Sequence, residues 1–228
     1  MRAFDRTGSR AAAPDPEQDR SLVAGAVAGD RRMFAELYRR HLDAVYLRLT
    51  RMIGPVPERD DLVQHIFLDV HRALPRFRGE AAFSTFLHRI VVNVACEHLE
   101  RRRRGGGLVL EEQHLDELID PTDSPELRAR QRQELSMAWR QLEELSPKRR
   151  IAFVLVVVEE MSLREAAALA GASPDAVKQR VLEARRDLNR GRIERDREPE
   201  PEPESESAER EGRPLPERRD RALPGDRK

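Results

Sequence analysis

The chain has 228 residues, in which 42 Lys+Arg balance 42 Asp+Glu; 37% of the side chains are charged and 4% aromatic, and the mean hydropathy is -0.71. This leaves too little apolar material for one bulky α/β enzyme and suits two small units instead. The single cysteine, Cys96, excludes an internal disulfide or a cysteine-built zinc site and fits a reducing compartment, and the longest strongly apolar run, Ile151 to Val158, is far shorter than the roughly 20 residues that span a bilayer.

Residues 1–20 carry Gly8, Pro14 and Pro16 with only Phe4 as a large apolar group, and read as a mobile leader. They contain no apolar core of signal-peptide length, so the expected location is the cytoplasm, without membrane insertion. A first unit is expected over 21–104. In it Phe34, Leu37, Tyr38, Leu42, Val45, Tyr46, Leu49 and Ile53 recur at helical steps, until Gly54-Pro55-Val56-Pro57 stops the run. The spacing of Asp61 and Gln64 predicts a capping box opening a second helix, with Leu62, Ile66, Phe67, Val70 and Leu74 inward and Pro75 at its end. After the basic, aromatic loop Arg76 to Glu80, a third helix follows Phe83, Phe86, Leu87, Ile90, Val91, Val94, Ala95 and His98 to the Arg101–Arg104 run.

Gly105-Gly106-Gly107 breaks that helix, and 105–131 read as a linker, although Ser124-Pro125 already carries a helix-start signal. A second unit is expected over 132–192. Ser146-Pro147 opens the helix with the run Ile151 to Val158, which is expected to be buried nearly all round. Ser162 and Glu165 form a second capping box, Gly171-Ala172-Ser173 a tight turn, and Ser173-Pro174 the start of a helix with Val177, Val181, Ala184 and Leu188 inward. This spells helix-turn-helix. Residues 193–228 alternate glutamate, proline and arginine and cannot build a core. They read as a disordered, solubilising tail, or as an acidic DNA mimic acting on a basic surface. The fold class is therefore all-α, with no strand pattern and no repeat.

Chemistry concentrates in two places. On the last helix Asp175, Gln179, Glu183, Arg186 and Arg190 lie opposite the inward stripe, where side chains can enter a major groove, while Lys178, Arg180 and Arg185 flank them and suit phosphates. A helical hairpin with a solvated charged face accounts for the same pattern. In the first unit arginines crowd 72–104, Arg89, Asn93, Cys96 and Arg103 face away from the third helix's core stripe, and Phe77 and Phe83 bracket a glycine loop. Such rings can replace a displaced base's lost neighbour, or simply belong to the core. The histidines His41, His65, His71, His88, His98 and His114 lie on separate segments with no metal spacing, and neither a phosphate-cradling glycine motif nor a nucleophile elbow is present. Neither an enzymatic activity nor a cofactor is expected.

Taken in order, the stretches Gly29-Asp30, Phe34-Ala35-Glu36-Leu37-Tyr38, Asp61 to Phe67, Arg76 to Glu80, Phe83 to Leu87 and Asn93-Val94-Ala95 resemble region 2 of bacterial extracytoplasmic-function sigma factors. The segment from Leu142 through Ser146-Pro147 to Leu188 resembles their region 4. The resemblance spans roughly two thirds of the chain. It implies a sigma factor that binds core RNA polymerase through Asp61, Leu62, Val63, Gln64 and Phe67. It further implies that Arg76, Phe77, Arg78, Phe83, Phe86, Arg89 and Asn93 open and read a −10 element. A −35 element would be read through Asp175, Lys178, Gln179, Arg180, Glu183 and Arg186. An anti-sigma factor is an implied regulator. The chain departs from the family at His71 and Phe86, where tryptophan is common, at His65, where an acid is common, at Val92, where arginine often precedes Asn93, and at Ala176 and Glu183 in the reading helix. The rival expectations are a stand-alone helix-turn-helix regulator and a helical adaptor.

Overall fold

The computed structural model describes residues 15–105, 115–116 and 118–195, with side chains to Gly191. The expected tail beyond 195, the leader before Asp15 and His114 lie outside the described residues. Eight α-helices are placed in chain order: α1 Pro16–Val27, α2 Arg31–Ile53, α3 Arg59–Ala73, α4 Phe83–Arg104, α5 Pro125–Glu143, α6 Pro147–Phe153, α7 Leu163–Ala170 and α8 Pro174–Arg195. Among the described residues there is no strand, and no helix is long and apolar enough to cross a membrane.

The leader is shorter than expected. α1 starts at Pro16, capped by the Asp15 carboxylate, which accepts from the Glu17 N–H at 3.0 Å. Its anchor is a buried polar contact: His41 Nε2 lies 3.1 Å from Asp19 Oδ2 and Arg40 Nε 3.4 Å from Asp19 Oδ1. That partner sits 22 residues along the chain, out of reach of any local pattern. Leu22 and Val23 complete the packing onto the first unit.

α2, capped by Asp30 onto the Arg32 N–H at 2.8 Å, buries Leu37, Val45, Leu49, Met52 and Ile53 along one face. It ends at Gly54, whose φ of 91° suits a residue without Cβ. α3 begins before the expected capping box. Its first residue, Arg59, is buried with its guanidinium 4.2 Å over the Tyr46 ring, so the turn forms around that contact. Asp60 and Asp61 fall inside the first turn, where the helix dipole favours acids. A single 3₁₀ turn, Leu74–Arg76, follows at Pro75.

Two start signals of the second unit form as expected, whereas Ser146 stands ahead of α6 without a side-chain cap bond. Ser162 and Glu165 make both capping-box bonds, Gly171 adopts the left-handed conformation (φ 58°), and the Ala176 N–H donates to Ser173 Oγ at 3.2 Å. The expected linker is folded at its far end. Residues 125–131 belong to α5, and Leu115 and Ile119 pack with Leu135 and Trp139 in a small separate core. Arg132 and Gln131 of α5 bind Asp116 and Asp123 of the same segment. Arg150 of α6, buried, lies 5.6 Å from the Trp139 ring centre and joins this core to the helix-turn-helix. The run Ile151 to Val158 is buried only in part. The helix leaves regular α geometry at Val154 and closes a wider turn through the Glu159 N–H to Val154 carbonyl bond (2.9 Å), leaving Val156, Val157 and Val158 half-buried along it.

The two units expected on a tether lie against each other and share one apolar cluster, with α4 packed on α6 and α7. Val92, where the family often has arginine, is 3% exposed. On the helix it shares a flank with Leu99, His88 and Ala95, which lie about 20°, 40° and 60° from it around the axis. A buried ion pair spans the contact: Arg48 Nε donates to Glu159 Oε1 at 3.2 Å and Nη2 lies 2.6 Å from Oε2, with Glu159 4% and Arg48 16% exposed.

Burial pushes the His88 pKa down to about 3, helped by the Arg48 charge, and that of His98 down to about 4, helped by Arg102. His41 is also lowered, burial outweighing Asp19. Unfolding frees these rings to bind protons at their ordinary value of about 6.5, so the unfolded chain takes up protons first as pH falls. Stability is therefore full above about 6.5 and is lost progressively toward pH 4. Melting temperatures measured from pH 7.5 to 5.0 should hold down to about pH 6.5 and fall below it, and His88→Gln should flatten that fall. A melting temperature constant over that range would contradict neutral burial of these rings.

Candidate nucleic-acid interface

α8 carries the residues expected to face duplex DNA. Asp175, Gln179, Arg186 and Arg190 are exposed on the side opposite buried Val177, Val181 and Ala184, and Lys178 and Arg185 are exposed on its flanks. One expected reader is engaged elsewhere. Glu183 is tied on both oxygens: Oε1 accepts from Gln179 Nε2 at 2.9 Å and Oε2 from Arg149 Nε at 2.9 Å. The same Arg149 reaches Asp187 Oδ2 through Nη1 at 2.8 Å. The Gln179 hydrogen bond, then Arg149, hold the Glu183 carboxyl below the usual carboxylate range. Arg180 is half-buried and close enough to α4 to act on the Cys96 thiol, whose pKa burial and Glu100 nevertheless push up. A helical wheel of α8 alone hides the engagement of Glu183, because Arg149 stands on another helix.

In the first unit the three expected phenylalanines form one cluster. Ring centres of Phe77 and Phe86 are 4.8 Å apart, with Phe83 6.2 Å from Phe77 and 6.1 Å from Phe86. Phe83 is buried and also meets His41 edge-on at 5.1 Å, so it braces the cluster instead of facing solvent. Phe77 and Phe86 are half-exposed, flanked by exposed Arg76, Arg78, Arg89 and Asn93. The Arg89 guanidinium lies 3.8 Å from where a Cβ on Gly171 would stand, over the turn of the helix-turn-helix.

The expected polymerase contact divides sharply. Leu62, Val63 and Phe67 are buried, Phe67 against Tyr38 with ring centres 4.4 Å apart, so they position α3 and present no surface. Asp61 and Gln64 are exposed, and with them His65, paired with Asp69 at 3.2 Å, and Leu68. Positions 61, 64, 65 and 68 follow one helical stripe. Leu68 is 55% exposed, the highest value among the large apolar side chains of the described residues. The sequence signal for it was its omission from the inward set of α3. Among the described residues no cluster of His, Cys, Asp or Glu could hold a metal.

Comparison with known proteins agrees with this layout. The Sigma-70 region 2 family matches residues 37–105 and the Sigma-70, region 4 family residues 135–188. The chain is 34% identical over 173 residues to the ECF RNA polymerase sigma factor SigM of Mycobacterium tuberculosis H37Rv, covering 75% of this chain and 83% of that protein. It is 32% identical over 182 residues to the ECF RNA polymerase sigma-E factor of Escherichia coli K12, covering 73% and 90%. Among solved structures, CnrH in complex with the cytosolic domain of CnrY is similar at a TM-score of 0.55 and 29% identity, over 78% of this chain and 99% of the other.

Proposed function

This chain belongs to the extracytoplasmic-function group of the sigma-70 family and is an RNA polymerase sigma factor, and from that premise we propose how its surfaces divide the work. Core polymerase is gripped by the α3 stripe of Asp61, Gln64, His65 and Leu68, an apolar centre with acid at its edge. The −10 element is opened at the Phe77–Phe86 platform, where a flipped base finds a ring to stack on, and is read by Arg89 and Asn93 beside it. The exposed face of α8 docks in the major groove of the −35 element, with Lys178 and Arg185 on phosphates. Binding energy from these contacts offsets strand opening, a few kcal/mol per unstacked base, and the chain itself catalyses nothing. It works in the cytoplasm as two units, the first running from α1 to α4 and the second from α5 to α8. CnrH forms a complex with the cytosolic domain of CnrY, and an anti-sigma factor acting on this chain would bind one already closed on itself.

The observation that carries this reading is the order, in one chain, of an exposed mixed stripe on α3, an aromatic platform at the start of α4 and a capped helix-turn-helix. Purified chain mixed with core polymerase should direct initiation from discrete start sites on a genomic library. Asp61→Ala/Gln64→Ala should reduce association with core polymerase more than affinity for promoter DNA. Equal loss of both would contradict the division of labour.

A further inference from the structure

We propose that Gln179 is the adenine reader of the −35 element and that Glu183, instead of touching DNA, fixes the orientation of its amide. The inference rests on the reading of α8 as the −35 helix and names what one side chain there recognises.

A glutamine amide can turn over, offering either its oxygen or its nitrogen to a given neighbour, and only the partner decides which. Here the partner is a carboxylate, which accepts only. Glu183 Oε1 therefore selects the amide nitrogen, at 2.9 Å, and the Gln179 carbonyl must point away from it. One N–H is consumed, leaving the carbonyl oxygen and the second N–H to be presented together on an exposed side chain. An acceptor beside a donor is the pattern that matches the N6 amino group and N7 of adenine.

Glu183 can hold this role because it is itself held. Arg149 reaches Glu183 Oε2 through Nε and Nη2, both at 2.9 Å, and Asp187 through Nη1 at 2.8 Å. One guanidinium thus bridges two carboxylates a turn apart on α8. Unneutralised, those charges would face a phosphate backbone. Bridged, they become a fixed support behind Gln179.

The test uses holoenzyme, formed from core polymerase and the full chain, on duplexes with a fixed −10 element and a randomised upstream segment; bound molecules are sequenced. The wild type should prefer adenine at one upstream position, over the other bases by on the order of tenfold. Gln179→Ala should erase that preference and leave the others. Glu183→Ala should weaken it at the same position, and the double variant should resemble Gln179→Ala alone. The dependence of binding on salt should be unchanged in Gln179→Ala, because no phosphate contact is lost. If the wild type has upstream preferences and Gln179→Ala keeps all of them, or if Glu183→Ala alters a different position, the inference is overturned while the −35 reading stands. A wild type with no upstream preference at all overturns both. Helicity of each variant, read by circular dichroism, confirms that these surface changes leave α8 folded.

Discussion

Leu68→Asp should cost the chain about 2 kcal/mol or more of affinity for core polymerase, roughly thirtyfold, while moving its own stability by no more than about 0.5 kcal/mol. The expectation follows from where the side chain stands. Leu68 is on the outer face of α3, with Asp61, Gln64 and His65 on its stripe and Leu62, Val63, Ile66 and Phe67 facing the core behind it. Nothing inside the fold depends on its methyl groups. A large apolar side chain so placed gains most when a partner covers it, and a carboxylate at the centre of a covered patch would be desolvated without a pair. Equilibrium binding of labelled chain to core polymerase, beside thermal melts of the free chain, separates the two quantities. Unchanged affinity in the variant would remove α3 from the polymerase contact.

Arg48→Ala should have the largest effect on the free chain. The Arg48–Glu159 pair bridges α2 and the turn after α6, and removing the arginine leaves a nearly enclosed carboxylate without its counter-charge. Breaking such a pair from one side costs about 3–5 kcal/mol, and the residual exposure of Arg48 argues for the lower end. Replacing both partners, Arg48→Met/Glu159→Met, should recover most of the loss, because the desolvation cost disappears with the charges. Chemical denaturation of the three proteins measures this. A second readout reports the arrangement of the units. Cys96 is the chain's one cysteine and is half-buried near Lys148 and Arg180 of the second unit. Its alkylation should accelerate in Arg48→Ala if the pair holds the units together. Unaltered stability and alkylation would show that the apolar contact alone suffices.

That contact bears on promoter binding. With Arg89 over the turn at Gly171, the residue proposed to read the −10 element and the helix-turn-helix of the second unit are adjacent. One turn of duplex is about 34 Å long and holds about 10 base pairs, so elements numbered −10 and −35 lie more than one turn apart. On the proposed assignment of the two DNA-reading surfaces the units must part before both engage, and the Arg48–Glu159 pair is among the contacts that such an opening would break.

Much of this was legible beforehand because it rests on local rules. The helical period placed the stripes of α2 and α4, and the Ser162 box and the Gly171 turn formed as the residue types require. On α3 the period and the resemblance pulled apart: periodicity placed Leu62 and Phe67 inward, the resemblance placed them at the polymerase, and burial followed the period. What stayed hidden depends on partners distant in sequence. Asp19 looks like a surface acid until His41 is seen beside it, and Glu183 looks like a reader until Arg149 arrives from α6. Arg59 likewise moves the start of α3 by stacking on Tyr46. The closeness of the two units was concealed for the same reason, since no pattern within α4 says that the flank with Val92 meets another part of the chain.

The wide turn at Val154–Val158 has one more consequence. It accommodates one residue beyond what a regular helix would hold, and each residue advances a helix by about 100°. Dropping one valine would swing Glu159 off its bearing toward Arg48 and rotate everything downstream, the DNA-reading helix included. The angular phase between the halves is thus stored in the main chain. Exchanging one valine for another apolar residue retunes packing, whereas only a change in residue number resets the phase.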